Sequence, residues 1–191
     1  MILINTLITG GARSGKSQFA EELALKSAQP VLFVATAEAG DEEMRQRIEK
    51  HRETRPSNWN TLEAPMHVGS HIMENAAGKP TILIDCITLM VNNILIQHCD
   101  PSGEPIDDTA LIEAEVTAEI GELVGCFNKI KASFIIVTNE VGLGLVPANR
   151  AGRLYRDLLG RANQILAQHV DEVYLLVSGI PMPLKTSHNP L

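Results

Sequence analysis

The residues best able to do chemistry form a glycine-rich loop close to the start of the sequence. Residues 10–17 read Gly-Gly-Ala-Arg-Ser-Gly-Lys-Ser and fit the pattern G-x-x-x-x-G-K-[ST] at every specified position. Glycines let the backbone curl around an anion, while successive N–H groups and a helix N-terminus direct positive dipoles at it. The pattern predicts that Lys16 reaches the β- and γ-phosphates of a nucleoside triphosphate and that the Ser17 hydroxyl binds Mg²⁺.

A second candidate, Asp85, ends the apolar segment Thr81-Ile-Leu-Ile-Asp85. A buried strand that ends in a single carboxylate is typical of the element that places an acid beside the magnesium in nucleoside triphosphatases. The alternative is an aspartate that caps the following helix. Because the phosphate loop needs a metal partner, the sequence favours Asp85 as a magnesium ligand.

A charged segment, residues 41–56, contains the histidine that is best placed to act as a nucleophile. With acids early and bases late it reads as a helix, on which Met44, Ile48 and His51 share one face. A neutral imidazole that faces a triphosphate could form a phosphoramidate, and nearby arginines could neutralise the developing charge. A surface histidine on a salt-bridged helix is the alternative, and helix geometry alone favours it. The arginines are Arg47, Arg52 and Arg55.

The elements that must position these residues alternate between apolar runs and helical patterns, which predicts an α/β fold with a mostly parallel sheet. The strands are expected at 2–9, 30–35, 81–85, 133–138 and 172–178, and the helices at 17–28, 41–54, 89–97, 109–131 and 149–169. Residues 99–108 read as an exposed loop and the tail after Gly179 as irregular.

Composition limits the class of protein. The length of 191 residues suits a single domain over residues 1–191, and a net charge of −7 disfavours nucleic acid and anionic membranes as partners. The three cysteines have no metal-ligand spacing, and Cys86 reads as a small core residue. No apolar stretch reaches the ~20 residues of a membrane span, so we expect a soluble, cytoplasmic protein.

The phosphate loop by itself leaves the reaction type open. The guanine-reading pattern N-K-x-D is absent, since its nearest match, Asn128-Lys-Ile-Lys131, lacks the aspartate. Kinase, nucleotidyl-transfer and ATPase chemistry all remain compatible with the loop. Asn139 and Glu140 follow a predicted strand, where a carboxylate could orient or deprotonate a substrate hydroxyl or could simply close a loop.

Seven ordered blocks nevertheless resemble the bifunctional adenosylcobinamide kinase / adenosylcobinamide-phosphate guanylyltransferase family of cobalamin assembly. The resemblance implies a P-loop NTPase fold with a RecA-like sheet and a homotrimer. It also implies phosphorylation of the aminopropanol hydroxyl of adenosylcobinamide by ATP or GTP, followed by GMP transfer from GTP through a guanylyl-histidine. The blocks are Gly10 to Ser17; Arg47, His51, Arg52, Arg55 and Pro56; Trp59, Thr61 and Glu63; Asp85 to Thr88; Val137 to Gly142; Pro147, Asn149 and Arg150; and Arg156, Asp157, Gly160, Arg161, Asn163 and Gln164.

The same resemblance implies catalytic roles for His51, Lys16 and Asp85 and a set of nucleotide contacts. Some family members carry two adjacent histidines in this stretch, and here the first position is Lys50, which is a second chemically competent nucleophile. A monofunctional small-molecule kinase and a nucleotide-binding switch or assembly ATPase are the competing hypotheses. The implied contacts are Gly10, Gly11, Ala12, Arg13, Ser14, Gly15, Lys16, Ser17, Ala35, Thr36, Ala37, Arg52, Glu53, Thr54, Glu63 and Asp85.

Overall fold

A computed structural model describes residues 3–27, 30–38, 42, 45, 46, 49, 52 and 55–186 of the chain. Over these residues strands and helices alternate for most of the length. They are β1 (Thr6–Gly10), α1 (Lys16–Lys26), β2 (Val31–Ala35), β3 (Asn60–Glu63), α2 (Val68–Asn75), β4 (Thr81–Asp85), α3 (Ile87–Gln97), α4 (Thr109–Lys129), β5 (Ser133–Val137), α5 (Arg150–His169), β6 (Glu172–Val177) and β7 (Ile180–Lys185).

The strands of the described residues form one sheet in the order β3-β2-β4-β5-β1-β6-β7, parallel except for β7. Strand β5 therefore separates the strand that leads into the phosphate loop from the strand that ends in Asp85. Val137 of β5 is in register with Ile8 on one side and with Asp85 on the other. Because parallel strands end at the same edge, the loop and Asp85 meet there. The predicted P-loop α/β fold with a mostly parallel sheet is confirmed.

Apolar side chains cover both faces of the sheet. Successive strand residues point to opposite faces, so Leu7 joins the core beneath α2–α5, while Ile8 joins the core beneath α1. Val116, Ile120 and Leu123, which share one face of α4, are buried against that larger core. Such two-sided burial explains why the strands read as continuous apolar runs. None of the helices in the described part of the chain is long and apolar enough to cross a bilayer.

The prediction of an irregular tail after Gly179 is wrong for the part of the tail that the structure describes. Residues 180–185 form β7, which pairs antiparallel with β6 after a tight turn. Ser178 and Gly179 have φ values of 52° and 83°, the left-handed pair that favours a two-residue hairpin. The sequence did not predict this strand because it contains Pro181 and Pro183. Proline is tolerated in an edge strand, where the N–H that it lacks would not pair with a neighbouring strand.

Two further elements, β3 and α2, were not predicted at all. Both are short, and the residues of β3 are mainly exposed, so β3 has no clear alternation of apolar and polar residues. The helix predicted over 41–54 falls largely outside the described residues. The five positions described within it are helical.

Candidate nucleotide site

A cavity of about 470 Å³ opens at the carboxyl edge of the sheet, where the ends of β2, β4 and β5 face the phosphate loop. It unites residues that lie far apart in sequence, as the topology requires. Seven of the implied nucleotide contacts line it, and so do the further candidates Arg55 and Asn139, together with residues that sequence reasoning missed. The lining residues are Ala12, Arg13, Lys16, Ser17, Phe33, Ala35, Ala37, Arg55, Asp85, Cys86, Thr88, Leu89, Val137 and Asn139.

The phosphate loop is held from behind by the β6–β7 hairpin. A Cβ added to Gly10 would lie 2.5 Å from the Leu176 carbonyl oxygen, and one added to Gly15 would lie 3.2 Å from the Cα of Gly179. The Gly179 N–H donates to the Ser14 carbonyl at 2.9 Å. Glycine is therefore required at both loop positions, and Gly15 also has a positive φ of 94°. The loop presents the first N–H groups of α1, which have no intrahelical partner, as an anion site.

Lys16, the first residue of α1, is the buried cation of the cavity. Its ammonium donates to the Gly11 carbonyl at 2.6 Å, the one hydrogen bond it makes among the described residues. Burial lowers the pKa of Lys16, while the charge of Asp85 acts in the opposite direction. Because an ammonium has three donors, two remain available to phosphate oxygens.

The carboxylate of Asp85 and the hydroxyl of Ser17 line the same cavity. Both are hard oxygen donors, and Mg²⁺ in nucleotide sites is held by one or two such protein groups together with phosphate oxygens and water. The described residues contain no cluster of three or more His, Cys, Asp or Glu side chains that could hold an ion on their own. The donor set therefore fits a magnesium ion that arrives with its nucleotide.

The end of β2 is fastened to the end of β4 through Thr36. Its fully buried hydroxyl donates to the Cys86 carbonyl at 2.7 Å and accepts from the Cys86 N–H at 2.8 Å. The Asn93 amide then donates to the Thr36 carbonyl at 2.9 Å. Of the predicted contacts at this end, Ala35 and Ala37 line the cavity, whereas the Thr36 side chain holds the two strand ends together. Burial raises the pKa of the Cys86 thiol to about 12, which keeps it neutral.

Arg55 packs against Phe33, which in turn stacks on Trp59. Sequence reasoning did not single out Phe33. The Arg55 guanidinium lies 3.7 Å from the centre of the Phe33 ring, and the Phe33 and Trp59 rings stack at 6.3 Å. Desolvation lowers the pKa of Arg55, whereas the negative charge of Asp85 raises it. Its buried Nε has no hydrogen-bond partner among the described residues. Phe33 reads as an ordinary core residue in sequence, so nothing there marks it as part of a site.

Other predicted site residues lie apart from the cavity or outside the described part of the chain. Arg52 and Glu63 form an ion pair with each other on the surface. Neither lines the cavity. His51, Lys50, Glu53 and Thr54 lie outside the described residues, so the predicted nucleophile has no structural position here.

The wall opposite the phosphate loop is built from α3 and the end of β5. The Asn139 N–H donates to the Thr88 hydroxyl at 2.8 Å, and the Tyr155 hydroxyl donates to the Thr88 carbonyl at 3.1 Å. The Asn163 amide donates to the Asn139 carbonyl at 3.0 Å. Of the predicted pair, Asn139 lines the cavity, while the Glu140 carboxylate accepts from the Gly142 N–H at 2.9 Å and closes the loop. Thr88 and Asn163 were missed as positioning residues, since their partners are distant in sequence.

The chain is similar in sequence to known proteins over most of its length. The chain is 43% identical over 179 residues to the bifunctional adenosylcobalamin biosynthesis protein CobU of Salmonella typhimurium, covering 94% of this chain and 98% of that protein. It is 42% identical, with the same coverage, to CobU of Escherichia coli, and 40% identical to CobP of Pseudomonas aeruginosa, covering 94% of this chain and 96% of that protein.

Among solved structures, the RadB recombinase aligns with 90% of this chain and 73% of its own, at 14% identity and a TM-score of 0.49. Residues 6–184 match the family described as cobinamide kinase / cobinamide phosphate guanyltransferase. That range includes the phosphate loop, Asp85 and every residue that lines the cavity. The chain therefore belongs to the cobinamide kinase / cobinamide phosphate guanyltransferase family.

Proposed function

We propose that this chain phosphorylates the aminopropanol hydroxyl of adenosylcobinamide with ATP or GTP, and then transfers GMP from GTP to the new phosphate. Membership of the family supports both steps. The observation that carries the proposal is the single cavity in which Lys16, Ser17 and Asp85 come together. A buried ammonium opposite a carboxylate and a hydroxyl suits a magnesium–triphosphate substrate.

In the first step the acceptor hydroxyl oxygen forms a bond to the γ-phosphorus, and the bond from that phosphorus to the β–γ bridging oxygen breaks. The hydroxyl proton is lost and a nucleoside diphosphate leaves. Lys16 stabilises the charge that develops on the phosphate oxygens, and Arg55 adds a second positive charge at the cavity wall. Ser17 and Asp85 would hold Mg²⁺, which neutralises phosphate charge when bound.

In the second step we assign His51 as the nucleophile. Its imidazole nitrogen attacks the α-phosphorus of GTP, pyrophosphate leaves, and a phosphoramidate to GMP forms. The phosphate of adenosylcobinamide phosphate then attacks the same phosphorus, which restores the histidine and yields adenosylcobinamide-GDP. The sequence around His51 supports this assignment, and the adjacent Lys50 is the alternative nucleophile.

The resemblance also supports a homotrimer, while the length supports a single domain over residues 1–191 and the cysteine usage supports a cytoplasmic location. Sedimentation of the purified chain tests the first of these directly. A monomer at micromolar concentration would contradict the trimer without affecting the proposed chemistry.

Intact-protein mass spectrometry after incubation with Mg²⁺ and GTP, followed by peptide mapping of residues 47–55, tests the guanylyl step. We expect an acid-labile GMP adduct on His51 that is absent in His51→Ala and retained in Lys50→Ala. An adduct on Lys50 would keep the function and overturn the residue assignment.

The released phosphate species separates the competing functions. Guanylyl transfer releases pyrophosphate, and net turnover requires the corrinoid acceptor. A folded, GTP-binding protein that forms no adduct but phosphorylates adenosylcobinamide would be a monofunctional kinase. Release of orthophosphate without an acceptor would favour a nucleotide switch or assembly ATPase.

A further inference from the structure

A second cavity, of about 630 Å³, lies between α3, the first turn of α5 and the loop at 99–103. Its lining is mainly apolar, and its polar side chains include Asn92, Asp100 and Tyr155. None of the described residues that line it is basic, so it does not suit a phosphate or a second nucleotide. The apolar lining includes Leu95, Ile96, Pro101 and Ala151.

The second cavity and the nucleotide cavity are lined by residues at successive positions of α3. Thr88 and Leu89 line the nucleotide cavity, and Asn92 and Leu95 line the second one. Positions 88, 92 and 95 recur at the spacing of a single helix face, and seven residues of helix span about 10 Å. Tyr155 links the two linings, since it lines the second cavity and donates its hydroxyl at 3.1 Å to the carbonyl of Thr88, which lines the nucleotide cavity.

The outer wall of the second cavity is built by specific hydrogen bonds. The Asp100 carboxylate accepts from the Ser102 N–H at 2.8 Å and from the Glu104 N–H at 3.0 Å, which closes the loop. Arg150 of α5 donates to the Pro105 carbonyl at 3.2 Å, which holds that loop against α5. The cavity is therefore formed before any ligand arrives.

Ile96 is the exposed apolar side chain of this cavity. It is 60% exposed at the rim, although it lies on the same helix as a fully buried row of residues. An aliphatic side chain exposed inside a concave, mainly apolar site is typical of a ligand-binding surface rather than of a random surface position.

We propose that the second cavity binds the corrinoid of the acceptor, with its aminopropanol arm running along α3 into the nucleotide cavity. This inference rests on the proposed function. A corrinoid combines broad apolar faces with peripheral amide groups, which suits an apolar lining that carries Asn92 and Asp100 as hydrogen-bonding groups. An arm of one amide and a short hydroxyalkyl chain extends about 8–10 Å, which matches the separation along α3.

Equilibrium dialysis with adenosylcobinamide, followed through its visible absorbance, tests the site independently of turnover. We expect Ile96→Glu to raise the Kd for adenosylcobinamide at least tenfold, because the acid must be desolvated against the apolar macrocycle. Ile96→Ala should raise it by a smaller factor. The Kd for the magnesium–nucleotide should not change in either variant. Leu111→Glu is the matched control, since Leu111 on α4 is 55% exposed and lies outside the cavity.

An unchanged Kd for adenosylcobinamide in Ile96→Glu would overturn the inference, and so would an equal loss of nucleotide affinity. A change in the sedimentation of Ile96→Glu with unchanged corrinoid affinity would identify the cavity as an interface between copies and would also overturn it. If the wild type binds adenosylcobinamide through Ile96 yet never phosphorylates it, the site stands and the proposed function fails. If the wild type does not bind the corrinoid, both fail.

Discussion

Two regions of the molecule bury the same kinds of residue for different purposes. The phosphate loop buries Lys16 at 7% exposure beside the crowded Gly10, and the contact between α2 and α4 buries Glu119 at 6% exposure beside the crowded Gly69. Burial and crowding therefore do not distinguish a binding site from a packing contact. The difference lies in how the two charges are satisfied.

Glu119 accepts hydrogen bonds from two backbone N–H groups. One carboxylate oxygen accepts from the His67 N–H at 3.0 Å and the other from the Val68 N–H at 2.7 Å, which caps α2 from the neighbouring helix. The anion thus lies at the positive end of a helix that lacks a side-chain cap of its own among the described residues. Lys16, by contrast, has one carbonyl partner and faces a cavity. A buried charge that keeps unused donors toward a cavity indicates a ligand.

Of the substitutions that test this difference, Lys16→Ala should have the largest effect. Lys16→Ala should lower kcat/KM for nucleotide-dependent phosphorylation about 10²–10³-fold, because a preorganised donor to the phosphates is lost. Its thermal stability should not fall, since a desolvated ammonium is removed. Steady-state kinetics and a melting curve measure the two effects. Lys26→Ala, an exposed change on the same helix, should affect neither quantity. A large drop in the Tm of Lys16→Ala would show instead that Lys16 stabilises the fold, as Glu119 does.

Removing the other buried charge should give the reverse result. Glu119→Ala leaves two helix N–H groups without their partner and should lower the free energy of unfolding by about 2–4 kcal/mol. Nucleotide affinity should stay within about twofold at a temperature where the variant is folded. Urea denaturation provides the measurement. Glu122→Ala, which removes an exposed acid that contacts Ser70, should cost less than about 0.5 kcal/mol.

The crowded glycine of the packing contact gives a smaller effect. A Cβ on Gly69 would lie 2.9 Å from the backbone carbon of Glu122, so Gly69→Ala must push two helices apart and should cost about 1–3 kcal/mol. Gly121→Ala on α4 is the control. A Cβ there meets nothing within 4 Å, and it should stabilise the protein by about 0.5–1 kcal/mol. Equal unfolding midpoints for the two variants would show that α2 and α4 are not closely packed at Gly69.

The same two regions explain how far sequence reasoning reaches. The phosphate loop and Asp85 were predicted because their requirements are local, namely glycines, a lysine and an apolar strand with one acid at its end. The α2–α4 contact was not, because Glu119 reads as a solvated helix residue until a helix about fifty positions earlier in the chain meets it. Thr36 shows a third case, in which a residue chosen as a ligand contact serves instead to join two strand ends.

The second cavity was also beyond sequence reasoning. It is formed by α3, α5 and a loop that was predicted only as exposed, and its shape depends on how the two helices pack. The edge strand β7 was predicted wrongly because prolines disfavour strands locally, whereas an edge position removes that penalty. In each of these cases the deciding contact is distant in sequence.

His98 can be compared with Glu119 and Lys16, because its charge depends on neighbouring side chains rather than on backbone groups. It follows α3, and its ring nitrogens lie 2.7 Å from the Asp107 carboxylate and 2.8 Å from the Glu115 carboxylate. The hydrogen bond with Asp107 raises the pKa of His98 above its ordinary value of 6.5, burial opposes the shift, and Glu115 adds to the increase. The protonated ring can donate to both carboxylates at once.

A raised folded-state pKa means that this stabilisation is fully present below pH 6.5 and is lost as the pH rises through the folded pKa. The free energy of unfolding of the wild type, relative to that of His98→Gln, should therefore be largest in mild acid and decline above neutral pH. Urea denaturation from pH 5.5 to 9 measures the difference, which should be the smallest of the effects considered. A difference that is constant with pH would mean that His98 contributes through packing alone.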